Sequence, residues 1–398
     1  MTPIDMIRAL VGFDTTSAKS NLPLIDFVRE YLAGHGIDSR YIRSKDGTKA
    51  NLWATIGPDI PGGIVLSGHT DVVPVTGQQW DSDPFNVVEK DDRLYGRGVA
   101  DMKSFIAIAL ALVPDMLSRP LTRPIHFALT HDEEVGCLGA PHLIKDVIDN
   151  LPRPGAVIIG EPTEMKVVDA HKGITAFTTT VTGHEAHSSL THRGVNAVMQ
   201  AGKLIAFLSD LAEEKAANAD PDSRFEPPYS TIHVGTVEGG TALNIVAREC
   251  AFKWEIRAVP GDDPEDTLAR FEQYYAKELV PKMQATAPET GIATRRGVTV
   301  PALEPAPDSP AEVLARELTG NNATHAVSYA TEGGQYQRAG LPAIVCGPRN
   351  IAQAHAPNEW ISLEQVTAGE GFDVLQVARC APGGGFEVGE VAAESPGH

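Results

Sequence analysis

Over the first 176 positions, short apolar runs bounded by polar clusters alternate with stretches of helical period. Residues 51–56, 63–67, 124–130 and 156–160 are runs of strand length, and 24–33 and 102–116 carry helical spacing. Gly34 and Gly36 follow the first of these helices as C-cap signals. Strands this uniformly apolar are buried on both faces, and intervening helices are the connections that a parallel sheet needs. The pattern predicts an α/β layer with a mostly parallel sheet flanked by helices. Each run stops just before a group of polar residues, and open α/β sheets build their sites at the carboxyl ends of strands.

The periodicity changes near residue 174. Residues 176–183 alternate Thr with apolar side chains, as a half-exposed strand does. A long helix over 196–215, strands over 231–237 and 242–259, a helix over 264–285 and a strand over 291–300 follow. This order predicts an α+β open-faced sandwich. A Pro-rich stretch, 301–310, then returns the chain to a helix over 311–319 and a strand over 343–345. The expected organisation is one domain interrupted by another: a catalytic domain over 1–176 and 301–382, and an inserted lid or dimerisation domain over 177–300. The tail over 383–398, rich in Gly and Glu, is expected to fray.

Composition narrows the class. Against 33 basic residues stand 52 acidic ones, a net charge of −19 that no Lys or Arg run offsets. Such a surface repels phosphate backbones and anionic membranes, so neither nucleic acid nor a membrane is an expected partner. The longest apolar run, 105–113, is far below the roughly 20 residues of a membrane helix. The start of the chain lacks a secretory pattern, and four scattered cysteines form no CxxC pair. A cytoplasmic protein without a disulfide framework is expected. With 13 histidines and 52 acids, any metal would sit among imidazoles and carboxylates.

Those residue types recur at the strand ends. His69 lies in SGHTD, Asp101 in GRGVADMK, Glu133 and Glu134 in HDEEVG, Glu161 in GEPT, and His355 in QAHAPNE beyond the insertion. Imidazole nitrogen with carboxylate oxygen suits borderline divalent ions such as Zn²⁺, Co²⁺ or Mn²⁺, and one bridging carboxylate would let this set hold two. Side chains of consecutive residues such as Glu133 and Glu134 diverge, so one can ligate while the other faces substrate as a general base. Asp71 points the same way as His69 along an extended segment and can orient its imidazole. Singly, each residue has a plain structural reading: a turn histidine, a solvated acidic edge, an N-cap aspartate. Their combination at successive strand ends is what carries the chemistry. Gly96 and Gly98 look like part of a phosphate loop, but no Lys-Ser/Thr pair follows.

GHTDVVP, GRGVADMK, DEEVG, GEPTE and AHAPNE, in this order and spacing, resemble the M20 family of dinuclear zinc peptidases and deacylases. Within it, GEPTEMKVVDAHKG, CLGAP and VCGP look most like the acetylornithine deacetylase branch. The resemblance implies His69 and Glu161 on one metal, Glu134 and His355 on the other, and Asp101 bridging. It implies Glu133 as general base toward a metal-bridging water, and Asp71 as the carboxylate behind His69. It also implies an inserted lid that dimerises, with His187 (GHEAHSS) reaching the reaction centre, often from the partner subunit. Asn244 (TALNIV) and Arg257 (WEIRA), expected on lid strands, match contacts to a substrate carboxylate. Glu332, Gly333 and Gly334 in TEGGQ match a substrate-facing loop. Ala100 stands where the family commonly has Cys or Thr, at a position that is not a ligand.

The implied activity is metal-dependent removal of the acetyl group from N2-acetyl-L-ornithine. The same chemistry on succinyl-diaminopimelate or another N-acyl amino acid is the nearest alternative. A catalytically silent, ligand-binding relative would lack a ligand or Glu133, and none is missing here. Lys172 is read either as a substrate contact or as a surface lysine, and Cys137 as a small buried apolar residue.

Overall fold

The structure, a computed structural model, describes residues 1–381; the tail expected over 383–398 lies outside the described residues. The chain forms two compact units. The first comprises Met1–Ala170, Pro305–His325 and the described residues from Thr331 onward, and the second comprises His171–Glu304 with Ala326–Ala330.

In chain order the strands are β1 (Ser39–Arg43), β2 (Ala50–Ile56), β3 (Ile64–His69), β4 (Val88–Lys90), β5 (Arg93–Tyr95), β6 (Ile125–Thr130), β7 (Ala156–Ile159) and β8 (Val167–His171). They continue with β9 (Gly173–Thr182), β10 (Thr231–Gly239), β11 (Glu249–Ala258), β12 (Gly291–Val300), β13 (Thr324–Val327), β14 (Ala343–Val345) and β15 (Trp360–Ser362).

The first unit is built on an eight-stranded sheet of order β1-β2-β6-β3-β7-β14-β8-β13. Its central strands β6, β3, β7 and β14 run parallel, while β1 and β2 at one edge and β8 toward the other pair antiparallel. Strands β3, β6 and β7 are buried at every position, which is why they read as mainly apolar runs. Helix Lys103–Ala111 is buried through Leu110 and packs on β3. The helix expected over 102–116 breaks at Leu112, because Pro114 has no N–H to continue the ladder; a short helix, Val113–Leu117, follows. A three-stranded sheet, β15-β5-β4, lies outside the main one.

The second unit holds the antiparallel sheet β10-β11-β9-β12. Alternate positions of β9 and β11 are buried, so one face of the sheet is covered and the other is wetter. Helices Ala197–Ala217 and Pro264–Tyr274 cover that face, with Leu204, Leu208 and Phe271 packing with Phe177, Phe252 and Trp254. Two sequence expectations shift here. The strand expected over 242–259 begins only at Glu249, and Leu243, Asn244 and Ile245 lie exposed before it. The helix expected over 264–285 contains a π-helical turn, Tyr275–Leu279, ahead of Pro281, which cannot donate to the preceding turn. All four cysteines are buried and lie outside any disulfide, and no described helix is long and apolar enough to cross a membrane.

His126 on β6 is buried, stacked on Trp53 at 4.8 Å, with Nδ1 at 2.9 Å from Thr55 Oγ1. Burial pushes its pKa down to about 4, against about 6.5 in an unfolded chain. Between these values the unfolded chain binds a proton that the folded one does not, so stability falls as pH drops from about 6.5 toward 4. Urea unfolding at pH 7 and pH 5 should therefore show His126→Phe losing about 2 kcal/mol less than the parent over that interval. Equal losses would show that His126 does not titrate in this way.

Candidate active site

The parallel register explains why separated motifs meet. His69, the last residue of β3, lies opposite Thr130, the last of β6, and Ser67 lies opposite Ile159, the last of β7. Strands β3 and β6 therefore end together and β7 two residues earlier, and their last or following residues deliver His69, the 132–134 turn and Glu161 to one edge of the sheet. Close packing behind this edge requires glycine. A Cβ on Gly160 would lie 2.1 Å from the Phe105 ring, and one on Gly68 would lie 2.9 Å from Ile106 Cγ1.

Asp101, buried in the loop before helix Lys103–Ala111, stands between two imidazoles. Its Oδ1 is 2.9 Å from His69 Nε2 and its Oδ2 is 3.3 Å from His355 Nε2. Glu134 Oε2 is 2.9 Å from the same His355 nitrogen, and Glu161 Oε1 is 3.7 Å from His69 Nε2. Two overlapping groups, His69 with Glu133 and Glu161, and His69 with Asp101 and Glu134, each bring ligand atoms within 4.8 Å of one another. All five ligand candidates, His69, Asp101, Glu134, Glu161 and His355, thus converge around Asp101.

Charge dominates this cluster. Burial opposes a charge on His69, but the hydrogen bond with Asp101 and the charge of Glu161 outweigh it and hold its pKa well above the usual value. Hydrogen bonds with Asp101 and Glu134 push His355 up to about 10. Burial would raise Asp101, yet the two histidines hold it well below the usual carboxylate range. Burial and then the Asp101 charge raise Glu161 far above that range. The carboxylates thus favour positive charge at each Nε2, where a divalent cation and a proton compete for one position. Both oxygens of Asp101 face an imidazole nitrogen, so the donor set fits borderline divalent ions.

Glu133 differs from its neighbour. Burial first, then the charges of Glu134, Asp101 and Asp71, opposed by His69, push its pKa up to about 8. Its Oε1 accepts the Cys137 thiol at 3.2 Å. Cys137 is buried, as expected, but it also makes this polar contact. Asp71 requires a correction. The imidazole of His69 donates from Nδ1 to the backbone carbonyl of Asp71 at 2.9 Å, whereas the Asp71 carboxylate is 3.7 Å away. That carboxylate instead accepts the backbone N–H groups of Glu133 (3.1 Å) and Glu134 (3.2 Å) and the Ser17 hydroxyl (2.8 Å). It fixes the acidic turn rather than the ring.

The remaining expected residues are placed differently. Gly333 is buried in the first turn of helix Gly333–Arg338, with its N–H donated to Thr331 Oγ1 at 3.0 Å, so it does not present an open loop. Its neighbour Glu332 is buried on Ser67, 3.3 Å from that hydroxyl, and burial pushes its pKa up to about 7. In the second unit His187 is exposed, with Nδ1 2.8 Å from Ser189 Oγ, and it bridges by backbone to Ile245 beside Asn244. Asn244 lies in the exposed turn before β11, not on a strand, because strand pairing starts at Glu249. Arg257 pairs with Glu255 at 2.8 Å and lies opposite Ile174, at the far end of β9 from Thr182, which leads to His187. Eight residues of extended chain put these two ends about 25 Å apart. The unit brings His187 and Asn244 together and leaves Arg257 separate. Lys172 is a buried anchor rather than a surface lysine, with Nζ donated to the carbonyls of Pro227 (2.8 Å) and Tyr229 (2.7 Å).

Residues 65–372 match the model of peptidase family M20/M25/M40, and the chain belongs to that family. It is a metal-dependent hydrolase. Among curated relatives, acetylornithine deacetylase of Myxococcus xanthus is 34% identical over 383 residues, covering 95% of this chain and 97% of its own. Acetylornithine deacetylase of Proteus mirabilis is 33% identical over 370 residues, covering 91% and 92%. Among solved structures, an M20 family metallo-carboxypeptidase from Sulfolobus solfataricus shares the fold with a TM-score of 0.73 at 18% identity, over 94% of this chain and 98% of its own.

Gly160 couples the core to this edge. The substitution Gly160→Ala should lower stability by about 2 kcal/mol or more, because overpacking must move Phe105 or the strand end. Urea denaturation checks this, and a variant as stable as the parent would show that the contact yields freely.

Proposed function

We propose that the chain hydrolyses N2-acetyl-L-ornithine to L-ornithine and acetate. The observation carrying this reading is the similarity to acetylornithine deacetylases, which runs through nearly the full length of both chains. The five-ligand cluster supports two ions, with His69 and Glu161 on one, Glu134 and His355 on the other, and Asp101 between them; Zn²⁺ is the first choice and Co²⁺ the second. When bound, such ions supply Lewis acidity toward an amide carbonyl and lower the pKa of water.

The protein's own groups do the rest. Glu133 takes a proton from the attacking water as its oxygen bonds to the acetyl carbon. It then delivers that proton to the α-nitrogen as the C–N bond breaks. Asp71, through the N–H groups of Glu133 and Glu134, keeps base and ligand on diverging paths. His187 donates to the developing oxyanion. Asn244 and Arg257 bind the substrate carboxylate, and a guanidinium fork matches that planar group.

The inserted unit acts as lid and homodimer contact. Exposed Met199, Val237, Leu243 and Ile245 support that role. A second copy also accounts for the separation of Arg257 from His187, since one substrate can take each from a different subunit. The acidic surface and the absence of a membrane-crossing helix among the described residues are in keeping with a cytoplasmic enzyme.

A panel of N-acyl amino acids, offered to metal-loaded protein, should give the highest kcat/KM with N-acetylornithine. A tenfold or greater preference for succinyl-diaminopimelate, about 1.4 kcal/mol in transition-state stabilisation, would replace the substrate while keeping the chemistry. Glu133→Ala should retain its bound metal and lose nearly all turnover; loss of metal instead would reverse the roles of Glu133 and Glu134. His187→Ala should lower kcat more than it raises KM, and an unchanged kcat would remove His187 from the reaction.

A further inference from the structure

Glu359 follows His355 by four positions and belongs to none of the metal-donor groups. It is 1% exposed, and its Oε1 accepts three backbone N–H groups: Gly98 at 3.1 Å, Ala100 at 2.7 Å and Asp101 at 3.2 Å. Its Oε2 accepts Arg97 Nη1 at 2.6 Å, and Arg97 is also 1% exposed. Arg97 donates from Nη2 to Gln78 Oε1 at 2.6 Å, and Gln78 donates from Nε2 to the carbonyl of His355 at 2.8 Å. The backbone adds Gly96 N–H to the Glu359 carbonyl at 3.0 Å, where β5 meets β15.

These bonds join two segments that carry ligands yet lack regular structure of their own. His69 is fixed by its strand. Asp101 and His355 lie in loops, and His355 has a left-handed backbone with φ 63° and a half-exposed side chain. Their separation is therefore set by what holds the loops. One carboxylate receives the N–H of Asp101 itself, and the chain of contacts through Arg97 and Gln78 ends on the carbonyl of His355. A carboxylate suits this position because one oxygen can take three donors while the other takes a guanidinium. We propose that Glu359 and Arg97, with Gln78, are positioning residues that clamp the Asp101 loop to the His355 loop and thereby set the affinity for the divalent ion these two ligands share.

This inference rests on the metal centre proposed above, and the test separates the two. Bound metal per chain after dialysis, and the Kd for Co²⁺ by chelator competition, would be measured on the full chain and its variants. Glu359→Gln puts an amide N–H₂ opposite the Arg97 donors and should weaken one ion by about 10- to 100-fold. Gln78→Ala removes the tie to His355 without leaving a buried charge unpaired, and should weaken the same ion by roughly 3- to 10-fold even if the first variant does not fold. Leu314→Ala, a cavity in the core of the same unit, should lower Tm and leave Kd unchanged. Parent-like Kd values in Gln78→Ala and in folded Glu359→Gln, or an equal weakening in Leu314→Ala, would overturn the clamp. Undiminished metal in His69→Ala and His355→Ala would instead overturn the metal centre itself.

Discussion

Carboxylates cannot be gathered in a low-dielectric strand-end site unless positive charge sits among them. Asp71, Asp101 and Glu161 are buried, and Glu133 and Glu134 stand beside them, with His69 and His355 in direct opposition. The raised pKa values of Glu133, Glu134 and Glu161 express that crowding, with burial as the largest cause in each. A hydrolase that relies on divalent cations turns this liability into affinity. Protons can neutralise the same groups, so metal binding and pH are coupled at this edge.

The scaffold accepts this charge because everything behind it is apolar and tightly fitted. The parallel register of β6, β3 and β7 ends the three strands within two residues of one another, and Gly68 and Gly160 let helix Lys103–Ala111 approach them closely. Much of the polar organisation then falls to side chains that bind backbone. Asp71 holds the N–H groups of the acidic turn, and Glu359 holds those of the loop carrying Asp101. Residues outside the ligand set thus hold the backbone segments on which the ligands stand.

The sequence exposed one layer of this arrangement more clearly than the other. His69 and Glu161 follow apolar runs, so period and strand-end chemistry were enough to find them. Asp101, the Glu133–Glu134 pair and His355 are candidates by residue type. Their division between two ions and a base needs the family resemblance, because nothing local says that a loop near 355 returns to a strand ending at 69. Backbone acceptors leave no mark in a sequence: the ring of His69 uses the carbonyl of Asp71, and its carboxylate serves the next turn. Glu359 stands in AHAPNE, but nothing in the sequence marks it as the acceptor of three backbone N–H groups. Short antiparallel strands such as β8 and β13 were missed because four or five residues show too little alternation to register. The exposed turn before β11 was absorbed into a strand because Leu243, Ile245 and Val246 are apolar, yet two of these face outward. The charge of −19, at first only a reason to exclude polyanions, acquires a local share in the acids around Asp101.

The most direct test is anomalous diffraction from crystals grown with zinc, recorded on both sides of the zinc edge. Two peaks are expected per chain, both in contact with Asp101, one also touching His69 and Glu161 and the other Glu134 and His355. Absence of anomalous density beside Asp101, or a single ion held by Glu133 with Asp101 left free, would contradict the account.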